Sequence, residues 1–223
     1  MPSFVDEAES DLRWREDELA ALKMLAVSSQ PRSVKHRALL RALVALLYAH
    51  YEGFCKVCWE LFLDEVARRK PARSSLLDDI RVASLEHRVK EIRRAPHVTG
   101  VLALVESHEE FCGAYSDLAI DTSTESNLWP DRFNAVMQRL GLSSEQMANY
   151  NVEMKALVGR RNGIAHGERL VVSDIAQYDK LENCAFLVMH EVALLLADSL
   201  EQEGYLKPRE RSRQLALFAE RAH

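Results

Sequence analysis

Apolar residues recur at intervals of three and four along most of this chain, which is the spacing of one face of an α-helix. Residues 4–27 combine an apolar face with a heavily charged one and predict an outer helix. Residues 31–69 are apolar on nearly all sides and predict a long buried helix, which Pro31 is well placed to open. Further periodic segments predict helices over residues 75–94, 129–140 and 173–204. Ser143 and Gln146 form a capping box that predicts another helix, which runs through Val158 into the stretch that follows.

Two stretches depart from this pattern. Residues 97–128 contain glycines and a polar run, and we interpret them as an insertion or connection. Residues 207–223 are interpreted as a basic tail or helix outside the core. The sequence thus predicts an all-α bundle of about five or six helices. It would form a single domain over residues 1–206, with residues 1–30 as its outer N-terminal helix.

The composition supports the all-α class and indicates which partners and which cellular compartment to expect. Only 8 glycines and 6 prolines occur in 223 residues, which favours helix over sheet. The formal net charge of −5 excludes a globally basic nucleic-acid-binding protein but not a local basic patch. Cysteine usage suggests no disulfide framework and the N-terminus shows no secretory pattern, so we expect a reduced, cytoplasmic protein. The most apolar run, Ala38–Tyr51, is broken by Arg41 and is too short to cross a bilayer, so we expect no membrane contact.

The stretch Leu157–Arg169, read LVGRRNGIAHGER, gathers an unusual set of polar residues. Arg161 and His166 are five residues apart, which on a regular helix leaves their side chains about 140° apart. A helix that ends near Arg161 or the next residue, followed by a turn that carries His166, would bring both to one surface. The glycines at positions 163 and 167 permit such a turn. In the simpler interpretation, Arg161 caps a helix, the glycines form a turn, and His166 is a surface histidine.

Polar side chains also interrupt the long apolar helix. Tyr48 and Glu52 either hydrogen-bond at the edge of the core or line a cleft, where they would contact substrate or a catalytic histidine. Cys55 and Cys58 have the spacing of a metal pair, but no second pair follows, which favours a buried structural role. We therefore predict no metal and no cofactor.

Three segments of the chain resemble one protein family. The stretch 161–168, RNGIAHGE, resembles the signature of the HEPN superfamily, the higher eukaryote and prokaryote nucleotide-binding helical domains. Its ribonuclease members carry an arginine, four to six residues and then a histidine, with a polar residue directly after the arginine. The stretch 48–56, YAHYEGFCK, resembles the first core helix of the bacterial branch found in toxin–antitoxin and RNA-processing loci, and Thr124–Trp129 through Leu140–Leu142 resembles its segment before the motif helix. The resemblance covers residues 34–66 and 122–200.

This resemblance implies an endoribonuclease that needs no metal. His166 would act as general base or acid at the ribose 2′-hydroxyl or at the leaving oxygen. Arg161 would bind the scissile phosphate and stabilise its developing charge, and Asn162 would orient His166 or contact the phosphate. The product would end in a 2′,3′-cyclic phosphate, since the 2′-oxygen is the attacking group.

The resemblance also implies partners. RNA would be the substrate, and a homodimer would form a composite active site in which Arg160 and Arg169 enlarge the positive surface. Such an enzyme is expected to be a toxin or a phage-defence effector, restrained by an antitoxin protein. The alternative is a non-catalytic HEPN-type module that binds nucleotides or partner proteins, although the presence of both Arg161 and His166 favours the enzyme.

Overall fold

The computed structural model describes residues 2–94, 96–106, 120–124, 126–168, 172 and 174–208. Eight α-helices are present in this part of the chain: α1 Phe4–Ser28, α2 Val34–Arg69, α3 Asp78–Arg94, α4 His97–Glu106, α5 Pro130–Arg139, α6 Glu145–Asn149, α7 Asn151–Ala165 and α8 Ile175–Glu201. A short 3-10 helix, Arg73–Ser75, follows α2. The described residues contain no β-strand, so the predicted all-α class is confirmed.

Two helix starts differ from the sequence-based expectation. Pro31 lies in a turn, and Ser33 opens α2 instead, because its hydroxyl accepts a hydrogen bond of 3.0 Å from the backbone N–H of His36. Ser144, and not Ser143, caps α6 by accepting from the N–H of Met147 at 2.9 Å. In both cases the capping serine is the residue directly before the first helical residue. Apolar periodicity alone does not locate that position.

The chain divides into two compact units, each of which draws on several segments. The first unit comprises Met1–Trp59, Ser123–Asn134 and Ser144–Leu194, and the second comprises Glu60–Thr122, Ala135–Ser143 and Leu195–His223. Every described residue of the predicted site lies in the first unit. The prediction of one domain over residues 1–206 with a basic tail stays a prediction, and residues 209–223 lie outside the described residues.

An aromatic core organises the first unit around α2. Tyr51 stacks on Phe133 of α5 with ring centroids 6.5 Å apart, and Trp59 contacts the same ring at 5.9 Å. Tyr48 meets Tyr51 edge-on at 6.3 Å. These large rings are fully buried, which is why α2 is apolar on almost every side in sequence.

A buried ionic cluster attaches α1 to α2. Arg15 is only 6% exposed, and its guanidinium binds Asp11 at 2.7 Å and approaches Nδ1 of His50 at 3.3 Å. The other ring nitrogen of His50 lies 3.0 Å from Glu18. Gly53 permits this approach, because a Cβ there would lie 2.9 Å from Nη1 of Arg15. The outer helix is therefore held to the core by charge as well as by its apolar face.

The last helix, α8, is long and apolar enough to cross a bilayer by length and composition, a test that the core helix of a soluble protein also passes. It carries a buried polar network in the first unit. Glu182 is 8% exposed, accepts a hydrogen bond of 2.9 Å from the hydroxyl of Tyr178, and pairs with Lys23 of α1. Ion pairs of this kind join α8 to α1 within the protein.

In the second unit, a backbone bridge holds the segment after α8 against the start of α3. The N–H of Leu77 donates to the carbonyl of Tyr205 at 2.9 Å, and the N–H of Lys207 donates to Ser75 at the same distance. Arg139, at the end of α5, reaches Glu86 of α3 at 3.2 Å.

Candidate active site

The motif helix α7 ends later than the glycine positions suggest. It runs to Ala165, so Arg161 and Asn162 lie inside the helix and the prediction that it ends near them is wrong. Gly163 is buried within the helix, and the turn uses Gly167, whose φ is +76°. The N–H of Gly167 donates to Ile164 at 3.1 Å and that of Glu168 to Gly163 at 2.8 Å. These two bonds form a Schellman motif, in which the glycine in the left-handed region closes the helix.

Arg161 is held by neutral partners. Its Nη1 donates to the amide oxygen of Asn127 at 2.8 Å and to that of Asn162 at 3.0 Å. Its guanidinium carbon also lies 4.8 Å from the centroid of the Tyr48 ring, a cation–π contact. No ion pair to Arg161 occurs within the described residues, where the groups that orient its guanidinium are all neutral.

Tyr48 connects this arginine with the chain segment before α5. Its hydroxyl accepts a hydrogen bond of 2.9 Å from the backbone N–H of Leu128. Burial raises the pKa of Tyr48, and its hydrogen bond to Glu52 raises the pKa further, so the phenol stays protonated. A protonated, buried phenol acts here as a support for Arg161 and for the loop.

Glu52 lies one turn further along α2 and binds three partners. It pairs with Lys56 at 2.8 Å and accepts a hydrogen bond from the hydroxyl of Thr124. Burial opposes ionisation of Glu52, but the hydrogen bonds from Lys56, Thr124 and Tyr48 outweigh burial and lower its pKa. Glu52 is thus an ionised anchor whose charge is already balanced by Lys56.

The anchored loop, formed by residues 123–124 and 126–129, supplies site residues that the sequence interpretation did not single out. Asn127 binds Arg161 directly, and Thr124 ties the loop to Glu52. The only signal in the sequence was that this segment resembles the family's segment before the motif helix. Nothing in its spacing relative to Arg161 indicated contact, because the two are more than thirty residues apart.

His166 is placed differently from Arg161. It caps the C-terminus of α7, its backbone N–H donates to the carbonyl of Asn162 at 2.9 Å, and its side chain is exposed. Among the contacts of the described residues, none joins the imidazole to Arg161. The structure brings together Arg161, Asn162 and Tyr48, with Glu52 beside them, and leaves His166 at the surface of the same helix end.

Further arginines lie close to the motif in sequence or space. Arg160 is half-buried, and its Nη1 has no hydrogen-bond partner among the described residues. Arg41 of α2, noticed in the sequence only as a break in an apolar run, donates to the carbonyl of Glu168 at 2.7 Å and so holds the turn after His166. Arg169 lies outside the described residues, so its predicted role stays a prediction.

The cysteines of α2 are buried in the first unit. Cys55 and Cys58 are both fully buried, and burial raises the pKa of each thiol, that of Cys58 to about 12. Within the described residues, no three His, Cys, Asp or Glu side chains are grouped as metal ligands. Both thiols pack as small apolar groups.

The model of the family described as MAE_28990-like HEPN matches residues 4–205, which is nearly the whole chain and includes α1 and the segment between α4 and α5. No curated protein and no solved structure matches it. The match extends over the Arg161–His166 motif, α2 and the anchored loop, the segments on which the resemblance was recognised. The chain therefore belongs to the MAE_28990-like family of the HEPN superfamily.

Proposed function

We propose that this protein is an endoribonuclease that cleaves RNA by attack of a ribose 2′-hydroxyl on the adjacent phosphate and needs no metal. The observation that carries the proposal is that, within the described residues, Arg161 is bound only by neutral groups. Two amide oxygens and an aromatic face fix its guanidinium, and its Nε and Nη2 have no acceptor among the described residues. An arginine prepared in this way presents a positive charge and free donors to an anion such as a phosphodiester.

The chemistry requires a proton acceptor beside the phosphate. His166 accepts the proton of the 2′-hydroxyl as the 2′-oxygen bonds to phosphorus, and a histidine returns a proton to the 5′-oxygen as its bond to phosphorus breaks. Arg161 stabilises the extra charge on the non-bridging oxygens in the transition state. The products are a 2′,3′-cyclic phosphate and a 5′-hydroxyl end, and DNA is spared because it lacks the nucleophile.

The proposed site is shared by two subunits. Residues five apart on an ideal helix are about 140° apart, and no contact among the described residues joins the side chains of Arg161 and His166. A second copy related by a two-fold axis would supply its own His166 opposite Arg161, and vice versa. Such an enzyme, if expressed without restraint, would arrest growth, in keeping with a toxin or phage-defence effector that is held inactive by an antitoxin.

The test uses the purified full chain with total RNA in the presence of EDTA, followed by mapping of the cleaved ends. We expect ends that carry a 2′,3′-cyclic phosphate, and a loss of rate of about a hundredfold or more in both Arg161→Ala and His166→Ala. Arg13→Ala and His190→Ala, at exposed positions on α1 and α8, are the matched controls and should cleave like the wild type.

Three results would count against the proposal. Loss of activity with the chelator would exclude the mechanism, and cleavage of DNA would exclude the 2′-hydroxyl as nucleophile. Binding of RNA or nucleotides without cleavage would favour the alternative, a non-catalytic binding module. Expression in a bacterial host tests the cellular role, because growth arrest by the wild type should be relieved by both active-site variants.

A further inference from the structure

Two aromatic side chains are exposed in the described part of the chain, Trp14 and Trp129. Trp14 has a structural role. Its indole N–H donates to Asp11 at 3.0 Å, its ring meets His50 at 5.1 Å, and Arg15 lies 4.5 Å above it. The exposed face of Trp14 is therefore the outer side of the cluster that holds α1 to α2.

Trp129 has no comparable role. It is 37% exposed, and its indole N–H has no acceptor among the described residues. Its ring also makes no contact with another ring or with a cation among the described residues. A tryptophan that is partly exposed and has no such contact is a candidate contact for a ligand.

The backbone of Trp129 is fixed on both sides. Its N–H donates to the carbonyl of Asn127 at 3.0 Å, and its carbonyl accepts from Phe133 at 2.8 Å. The neighbouring residue, Leu128, is bound through its N–H to the hydroxyl of Tyr48 at 2.9 Å. The ring is thus presented from a rigid point, which lowers the entropy lost when it contacts a ligand.

Trp129 also lies close to the proposed phosphate site. Asn127, two residues before it, binds Nη1 of Arg161 at 2.8 Å. Two residues span at most about 7 Å of chain, which is of the order of one nucleotide step in an extended single strand. The backbone of Trp129 is therefore separated by about one nucleotide step or less from that of the residue that binds Arg161.

We propose that Trp129 is a stacking platform for an unpaired base of single-stranded RNA, next to the phosphate that Arg161 binds. This inference rests on the proposed function for its ligand. Stacking on tryptophan accepts any base, since every base has a π-face, and requires that the base be out of a duplex. The site would therefore select unpaired RNA without selecting a sequence at this position.

The experiment measures binding of a short oligouridylate with 2′-O-methyl riboses, which cannot be cleaved because the nucleophile is blocked. Its affinity is followed by anisotropy of a labelled oligonucleotide and by tryptophan emission in a Trp14→Phe background. Trp59 is fully buried, so quenching on binding reports on Trp129. We expect Trp129→Ala to weaken Kd by roughly tenfold to a hundredfold, and Trp129→Phe to restore most of the affinity. Trp14→Phe alone should leave Kd unchanged.

Several results would overturn the stacking site. They are wild-type affinity in a correctly folded Trp129→Ala protein, no binding by the wild type, and an equal loss of affinity for an oligonucleotide of the same length that has no bases. Because the 2′-O-methyl probe cannot be cleaved, its binding also tests the stacking site independently of the ribonuclease activity. A protein that binds through Trp129 but leaves natural RNA intact would refute the enzyme and keep the stacking site, whereas RNA cleavage with a normal KM in Trp129→Ala would refute only the stacking site.

Discussion

Arg161 is bound by Asn127 and Asn162 through amide oxygens, which accept hydrogen bonds but carry no charge. A carboxylate at position 127 would make the same hydrogen bond and would also pair with the guanidinium. Since a phosphate and that carboxylate would compete for one positive charge, the identity of residue 127 is expected to determine activity more than stability.

We therefore predict that Asn127→Asp lowers kcat/KM for RNA by about tenfold or more while the thermal midpoint stays equal or rises. Kinetics and thermal unfolding of the same protein preparation measure the two effects. Asn183→Asp, the same change at an exposed position of α8, is the matched control and should affect neither. An unfolding midpoint that falls in step with activity would mean that residue 127 acts on the fold alone.

His50 is a second residue whose protonation has a predictable consequence. Its Nδ1 faces Nη1 of Arg15 at 3.3 Å, so the neutral tautomer with the proton on Nε2 lets Nδ1 accept from Arg15. Its Nε2 lies 3.0 Å from the carboxylate of Glu18 without a hydrogen bond of good geometry. Burial and the charge of Arg15 lower the pKa of His50, against the opposing effect of Glu18.

The unfolded chain consequently binds a proton at His50 before the folded protein does. Stability from neutral His50 is complete above its unfolded pKa of about 6.5 and is lost as the pH falls from there through the lowered folded pKa. In His50→Asn, the decrease in unfolding free energy between about pH 6.5 and pH 5 should become smaller. Urea denaturation at several pH values measures this, with His190→Asn as a control at an exposed site. An unchanged pH slope in His50→Asn would contradict the assignment.

At the scale of elements, α1 is attached to α2 by a buried ionic cluster, whose stability depends on the presence of all its members. Arg15 is buried between Asp11 and His50, so its removal takes the ion pair from Asp11, which keeps only the indole N–H of Trp14, and leaves Nδ1 of His50 without a donor. We predict that Arg15→Ala lowers the free energy of unfolding by about 3 kcal/mol. Arg13→Ala, on the exposed face of the same helix, should change it by no more than about 0.5 kcal/mol. Denaturant titration compares the two, and equal small losses would show that the cluster contributes little.

The anchored loop joins α2 to α7 through side chains of both. Tyr48 holds Leu128, Glu52 holds Thr124, and Arg161 holds Asn127. Because all three contacts converge on one short segment, α2 positions the arginine of the motif helix without touching the histidine. This arrangement explains why polar residues appear inside an otherwise apolar helix: they serve as supports for the loop and for Arg161.

At the scale of the whole molecule, the proposed composite site makes a prediction that a self-contained site does not. A mixture of Arg161→Ala and His166→Ala subunits, unfolded and refolded together, would contain heterodimers with one arginine and one histidine at the shared site. We expect such a mixture to recover a measurable part of the activity that neither variant has alone. Sedimentation of the wild type should show a dimer. A monomeric wild type, or a mixture no more active than its two components, would contradict the shared site.

Several features of this protein are determined by local sequence. The 3.6-residue periodicity and the scarcity of glycine and proline predicted the all-α class, because helices form from contacts between residues close in the chain. The order of residues in the motif, together with the segments at 48–56 and 124–129, was enough to recognise the family. The aromatic residues of α2 also marked it correctly as a core element.

Only the tertiary structure decided how the motif residues are used. Local spacing suggested that glycine 163 would end α7, yet the helix continues to Ala165 because the Schellman turn closes at Gly167. The partners of Arg161 come from a loop thirty-four positions earlier and from α2, and such long-range contacts depend on how the helices pack, which no periodicity encodes. The sequence alone thus identified the arginine, and the packing of α2 and the anchored loop determined which side chains hold its guanidinium.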